Sequence, residues 1–192
     1  MRLLLFSLVA LGLFSTNIYP AETSKPKPAK AKSMSVQVRL LGENGKPTEP
    51  RTVDRVVKSD EAWRKQLTKE QYEIARGKGT ERPFCGVFYD HKKPGIYTCV
   101  CCDLPLFASN AKFDSGTGWP SFFQPFAKEN VKTIEDLSHG MLRTEILCVR
   151  CDGHLGHVFE DGPKPTGLRY CLNSASLVFR PDKAADSKTE KK

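Results

Sequence analysis

Hydrophobic and polar residues alternate with different periods along the chain, and the changes of period mark its parts. An apolar run from Leu3 to Phe14 stands behind Arg2 and ahead of small and polar residues ending near Ala21, the layout of a secretory signal over residues 1–21. Its twelve positions are too few to span a bilayer, so export is expected, with no stable membrane insertion after processing. Residues 22–36 and 183–192 mix Lys with Pro, Ala and Ser, carry no apolar period, and are expected to be a solvated linker and a disordered basic tail. Residues 37–57 alternate weakly on either side of Glu43-Asn44-Gly45-Lys46, which predicts a short hairpin or an extended arm. Residues 22–58 are therefore read as a Lys/Pro-rich linker and N-terminal extension ahead of a domain over 59–182.

Within that domain the helical signals come first. Ser59 is placed to cap a short helix carrying Ala62, Trp63 and Leu67. Thr68 and Gln71 form a capping box for a second through Ile74 and Ala75, stopped by Gly77 and Gly79. Beyond residue 80 the chain reads as short strands broken by Gly, Pro, Asn and Asp, clearest at Gly95–Cys99, Leu142–Val149, Gly167–Asn173 and Ser176–Arg180. The pattern predicts a mainly β, mostly antiparallel domain fronted by one or two short helices.

Charge changes the picture only by removing a class of partner. The net charge is +8, but residues 1–36 and 183–192 supply +4 and +2 of it, leaving 21 basic against 19 acidic residues over 37–182. A nearly neutral body offers no basic stripe for a phosphate backbone, so no nucleic acid partner is expected.

The candidate chemistry lies in seven cysteines. Cys99/Cys102 and Cys148/Cys151 are two C-x-x-C pairs, 45 residues apart. Each brings two thiolates to one side of a turn, and two such turns close the tetrahedral S4 shell of a structural zinc. Disulfides or a thioredoxin-like redox pair are the competing readings. Cys101 complicates the first pair, but only Cys102 reproduces the spacing of the second.

Cys171 stands apart from these pairs. Strand alternation puts Leu168, Tyr170 and Leu172 on one face and Arg169, Cys171 and Asn173 on the other. A guanidinium beside a thiol favours the thiolate, so a lowered pKa is expected for Cys171. His154 and His157 lie just upstream as acid–base candidates, while Gly116–Phe123 joins a turn to aromatic rings that suit either a methyl or thioether pocket or the core. The cysteines alone also fit a zinc-stabilised binding module or a thiol–disulfide oxidoreductase.

Together, GTERPF (79–84), GIYTCVCC (95–102), LF (106–107), FDSGTGWPSF (113–122), CVRCDGHLGHVFEDGP (148–163) and PTGLRYCLNSASL (165–177) resemble the methionine sulfoxide reductases of the B type. That resemblance implies a fold of two antiparallel sheets and one structural zinc per chain on Cys99, Cys102, Cys148 and Cys151. It also implies reduction of the R epimer of methionine sulfoxide in proteins or peptides. Cys171 falls on the nucleophile, Trp119 and Phe122 on substrate-binding positions, and His154, His157, Arg169 and Asn173 on residues that shape the site. Many members carry a resolving cysteine where this chain has Thr117, and Cys85 resembles an alternative resolving position. A Cys85–Cys171 disulfide reduced by a thioredoxin-like donor is the expectation that follows, in a monomer.

Overall fold

Ser59 and Thr68 start the two helices as their side chains dictate. The computed structural model describes residues 34–182; the expected signal, the tail and the linker up to residue 33 lie outside them. Ser59 Oγ accepts the Ala62 N–H at 3.2 Å, opening α1 (Asp60–Gln66), which buries Trp63. Thr68 and Gln71 make a reciprocal capping box for α2 (Lys69–Ala75), which buries Ile74 and Ala75. Among the described residues no helix is long and apolar enough to cross a membrane.

Eleven strands follow the predicted β character, all paired antiparallel. β1 (Ser35–Val38) and β2 (Arg51–Asp54) form a two-stranded hairpin. β3 (Gly95–Cys99) and β4 (Pro105–Ala108) share a three-stranded sheet with β11 (Leu177–Pro181), in the order β11-β3-β4. The larger sheet runs β5-β6-β10-β9-β8-β7, where β5 is Lys112–Phe113, β6 Ser121–Phe122 and β7 Val131–Asp136. Its remaining strands are β8 (Arg143–Cys148), β9 (His154–Phe159) and β10 (Arg169–Leu172). Of the segments at 37–57, the hairpin rather than the extended arm is what forms, with the Gly42 N–H donating to the Lys46 carbonyl across its turn.

The two larger sheets meet through aromatic side chains. Tyr97 and Phe107, register partners on β3 and β4, reach Phe122 of β6 with ring centroids 5.1 and 4.8 Å away, and Phe107 also meets Tyr170 of β10 at 5.6 Å. Leu106, Ile146, Leu155 and Leu172 complete this core. Burying one such aromatic side chain contributes roughly 2–3 kcal/mol, and β10 is thereby anchored on its Tyr170/Leu172 face while Cys171 is turned the other way.

Candidate active site and four-cysteine cluster

The two C-x-x-C turns have the same backbone. In the first, the Cys99 N–H donates to Leu104 O and the Asp103 N–H to Cys99 O, at 2.9 and 2.8 Å. In the second, the Cys148 N–H donates to Gly153 O and the Asp152 N–H to Cys148 O, both at 2.9 Å. Asp103 and Asp152 each take a positive φ, 59° and 58°, to turn the chain back. The four Sγ atoms of Cys99, Cys102, Cys148 and Cys151 lie within 4.8 Å of one another, with Cys99–Cys151 at 3.6 Å and Cys102–Cys148 at 3.5 Å. Zinc–sulfur bonds of about 2.3 Å in a tetrahedron place sulfurs about 3.8 Å apart, so the cluster fits zinc. No disulfide links any of the seven cysteines.

Cys101 is buried against this cluster without being part of it. A Cβ on Gly153 would lie 3.3 Å from the Cys151 sulfur, 3.4 Å from that of Cys101 and 3.8 Å from that of Cys99. Four side chains brace the knuckle carbonyls: Gln66 on Cys101 O, Arg76 on Cys151 O, Arg150 on Cys102 O and Arg55 on Val149 O.

Cys171 sits in the middle of the larger sheet, paired with His157 on β9 and with Ser121 on β6. Gly156 makes this approach possible, since a Cβ there would lie 2.0 Å from the Cys171 carbonyl. Burial pushes the Cys171 thiol up; Arg169, Thr117 and Ser121 pull the other way without prevailing. Arg169 does lower the thiol as expected, but burial outweighs it, so the expected net lowering is corrected to a rise. Part of the reason is that the guanidinium is held by Asp161 in a two-point pair, Nε to Oδ1 at 2.8 Å and Nη2 to Oδ2 at 2.9 Å. Ser115 connects the neighbouring hydroxyls, 2.8 Å from Thr117 Oγ1 and 2.7 Å from Ser121 Oγ.

A register shift in the β8–β9 ladder brings both imidazoles to this face. Ile146 pairs with Gly156 and the adjacent Leu147 with His154, so Leu155 is the extra residue of a bulge. Without it, residues three apart would point to opposite faces. The His154 Nδ1–H donates to Glu145 Oε1 at 2.7 Å, and Lys78 Nζ donates to Oε2 of the same carboxylate at 2.8 Å. His154 is pushed toward its neutral form chiefly by burial, and its Nε2 is buried with no hydrogen-bond partner among the described residues. The His157 Nε2–H donates to Asp136 Oδ2 at 2.7 Å, which Arg143 also contacts at 2.7 Å. The side chain and backbone of Ser138, then His157, hold the Asp136 carboxyl far below the usual range. The two rings are 5.5 Å apart.

Trp119 is half-buried, its Nε1–H donating to Glu81 O at 3.0 Å. Gly118, at φ 86°, gives its carbonyl to the Phe84 N–H at 2.8 Å and leaves no room for a Cβ beside Phe84. Asn173 is 3% exposed and tied to the frame, its Oδ1 taking the Glu81 N–H and its Nδ2–H meeting Leu155 O. Phe122, implied at the substrate by resemblance, is fully buried in the core. Ser121 shares the face of Cys171, so the next residue on a two-residue strand must face away. Cys85 is exposed and lines a cavity of about 370 Å³ with Glu70, Glu73, Ile74, Thr80, Glu81 and Arg82.

Asp136, Glu145 and Glu81 are the site residues that motif reading passed over. Glu145 leaves the trace of a charge between Thr144 and Ile146 and Glu81 that of the acid within GTERPF, while Asp136 leaves none in the motifs.

A SelR domain model matches residues 67–181. The chain is 64% identical over 127 residues to Peptide methionine sulfoxide reductase MsrB of Hahella chejuensis (strain KCTC 2396), covering 66% of this chain and 91% of that one. It is 59% identical over 126 residues to the protein of the same name from Herminiimonas arsenicoxydans, 66% and 92% of the two chains. Peptide methionine sulfoxide reductase B1, chloroplastic, of Oryza sativa subsp. japonica is 63% identical over 123 residues, 64% and 57% of the two. The matched region takes in the thiol strand, both knuckles and the aromatic loop together, and the chain belongs to the MsrB family of peptide methionine sulfoxide reductases.

Proposed function

We propose that this enzyme reduces the R epimer of methionine sulfoxide in oxidised proteins, with Cys171 as nucleophile. The single observation that carries the reading is a half-buried thiol set opposite one carboxylate-held imidazole and beside a second, with an indole across the loop. The Cys171 thiolate attacks the sulfoxide sulfur while a proton reaches its oxygen, giving a transient S–S-bonded adduct; the hydroxyl then passes from the methionine sulfur to that of Cys171 as the S–O and S–S bonds break, which releases methionine and leaves Cys171 as a sulfenic acid. His157, beside an ionised carboxylate and nearer to water than His154, is assigned the proton. His154, neutral and fixed through Nδ1 by Glu145, keeps Nε2 as an acceptor that orients the donor or a bridging water. Trp119 receives the substrate methyl, and Arg169 favours the thiolate.

Cys85 resolves the intermediate in this proposal. Its thiol attacks the sulfenic sulfur, water leaves, and the Cys85–Cys171 disulfide is reduced by a thioredoxin-like dithiol. The 83–86 turn that carries Cys85 is joined to the Trp119 loop through the Phe84–Gly118 hydrogen bond, which ties the candidate resolving thiol to the loop of the site. Cys99, Cys102, Cys148 and Cys151 would hold zinc, which would tie the two knuckles into one scaffold and supply no reacting atom. The signal-like start makes exported proteins the substrate.

Epimer-resolved turnover by wild type, Cys171→Ser and Cys85→Ser, with zinc content measured alongside, tests the reading. R-epimer turnover lost in Cys171→Ser supports it, and none in wild type overturns it. A peptide map after one turnover should show the Cys85–Cys171 link; a persistent sulfenic acid with free Cys85 removes Cys85 from the scheme. Full-length precursor retained in the cytoplasm with no processed exported form would refute export.

A further inference from the structure

We propose that Glu81 is a positioning residue that fixes the Trp119 ring and the turn behind Cys171 against each other; this rests on Trp119 being the ring that receives the substrate methyl. Glu81 is 8% exposed and every polar group it has is engaged. Its carbonyl accepts the indole Nε1–H of Trp119 at 3.0 Å. Its N–H donates to Asn173 Oδ1 at 3.1 Å. Its carboxylate accepts the Ser174 N–H on Oε1 at 2.7 Å and the Ala175 N–H on Oε2 at 3.0 Å.

These bonds form one chain of dependence. Ser174 and Ala175 begin the 3₁₀ turn that follows β10, three residues beyond the nucleophile. A carboxylate holding backbone N–H groups is a charge-assisted contact, about twice as strong as a neutral one. That side-chain grip fixes the Glu81 backbone, and the Glu81 backbone in turn holds Trp119 and Asn173. Trp119 needs such a clamp because it lies on a loop whose Gly116 and Gly118 both take positive φ, 69° and 86°. Its indole has no other hydrogen-bonding atom to fix the ring. A purely structural cap on the 3₁₀ turn would affect stability and leave the indole where it is.

Gly86 offers a second way to perturb the contact. A Cβ at that position would lie 2.3 Å from Glu81 Oε1 and 2.3 Å from Ser174 Oγ, so Gly86→Ala displaces the carboxylate without removing it.

The chain has two tryptophans, so protein labelled with 5-fluorotryptophan gives two ¹⁹F lines, assigned with Trp119→Phe. In Glu81→Ala the Trp119 line should shift or broaden while that of Trp63 stays. KM for the sulfoxide should rise roughly tenfold, with kcat falling less, as expected for a misplaced substrate contact. Glu81→Gln, which keeps one acceptor, should recover most of the KM. Glu81→Ala and Gly86→Ala that bind zinc, melt cooperatively, keep KM within twofold and leave the Trp119 line unmoved would overturn the proposal. Where Glu81→Ala does not fold, Gly86→Ala decides by the same two readings. Wild type without turnover overturns the functional reading itself, whereas normal turnover with unresponsive variants overturns only the role of Glu81.

Discussion

His157 on β9 stands directly opposite Cys171 on β10, paired in register across the antiparallel ladder. Side chains of such a pair rise on the same face with Cβ atoms about 4.5–5.5 Å apart, so imidazole and thiol are held together by the sheet itself. Asp136 takes the Nε2–H at 2.7 Å and limits the ring's rotation. His157→Ala should therefore lower kcat about 10²- to 10³-fold, the usual scale for a lost proton donor. Asp136→Asn should cost roughly tenfold, since it loosens the ring without removing it. Single-turnover rates of methionine formation check both, and a His157→Ala rate within twofold of wild type would take His157 out of the proton transfer.

Arg169 opposes a larger effect at Cys171. Burial raises the thiol pKa and the guanidinium lowers it, with burial ahead. Only the thiolate reacts, so alkylation of Cys171 should increase with pH through a limb above the ordinary thiol value. Arg169→Met leaves burial unopposed, and the limb should move further up. The rate of Cys171 carbamidomethylation, followed by peptide mass in a Cys85→Ser background, reads this directly. A limb that moves down would mean that Arg169 acts by something other than its charge.

Cys101 and Cys102 are neighbours with different roles. The matched turns give Cys102 the place that Cys151 holds in the second knuckle, while Cys101 packs against the cluster from outside. Cys101→Ser should keep about one zinc per chain and a near-native melt. Cys102→Ser should lose the ion and with it a binding free energy that for structural zinc is about 10 kcal/mol or more, enough to unfold the domain. Metal content by mass spectrometry under native conditions tells the two apart.

The parts legible in the sequence are those where local chemistry is decisive. Ser59 and Thr68 cap helices by their own hydroxyls, and Gly95–Cys99 is a strand end to end. β9 was not legible as a strand because its two imidazoles and Gly156 carry little β propensity, and the bulge at Leu155 breaks the alternation that would reveal it. Phe122 is the converse case: an aromatic in a motif reads equally as pocket or core, and only the pairing of Ser121 with Cys171 decides for the core. The direction of the Cys171 shift was out of reach because a sequence shows the neighbouring charge but not the depth of burial. Glu81, Asp136 and Glu145 act through contacts with residues 93, 21 and 9 positions away, which no spacing rule supplies.

The β1–β2 hairpin, which precedes the region matched by the family model, is bonded through the residues that flank its strands to the second C-x-x-C knuckle. Arg55 reaches Asp152 at 2.5 Å and Val149 O at 3.2 Å, the Val56 N–H donates to Arg150 O at 2.9 Å, and Asn130 exchanges bonds with the backbone of Arg39. The Arg55 side chain is 9% exposed, so truncating it leaves the Val149 carbonyl short of a buried donor, while Asp152 keeps its pair with Lys132 at 2.6 Å. Hydrogen bonds to charged groups contribute about 1.5–3 kcal/mol. Arg55→Ala should then cost about 2 kcal/mol, or roughly 4–8 °C in melting temperature for a domain of this size. Because the lost contacts lie on the knuckle, zinc should also pass faster to a chelator, while kcat/KM of the zinc-loaded enzyme stays near wild type. Arg51→Ala, an exposed position on the same hairpin, is the control and should change neither quantity. Equal melting temperatures and equal zinc release for the two variants would show that the hairpin rests on the knuckle without bracing it.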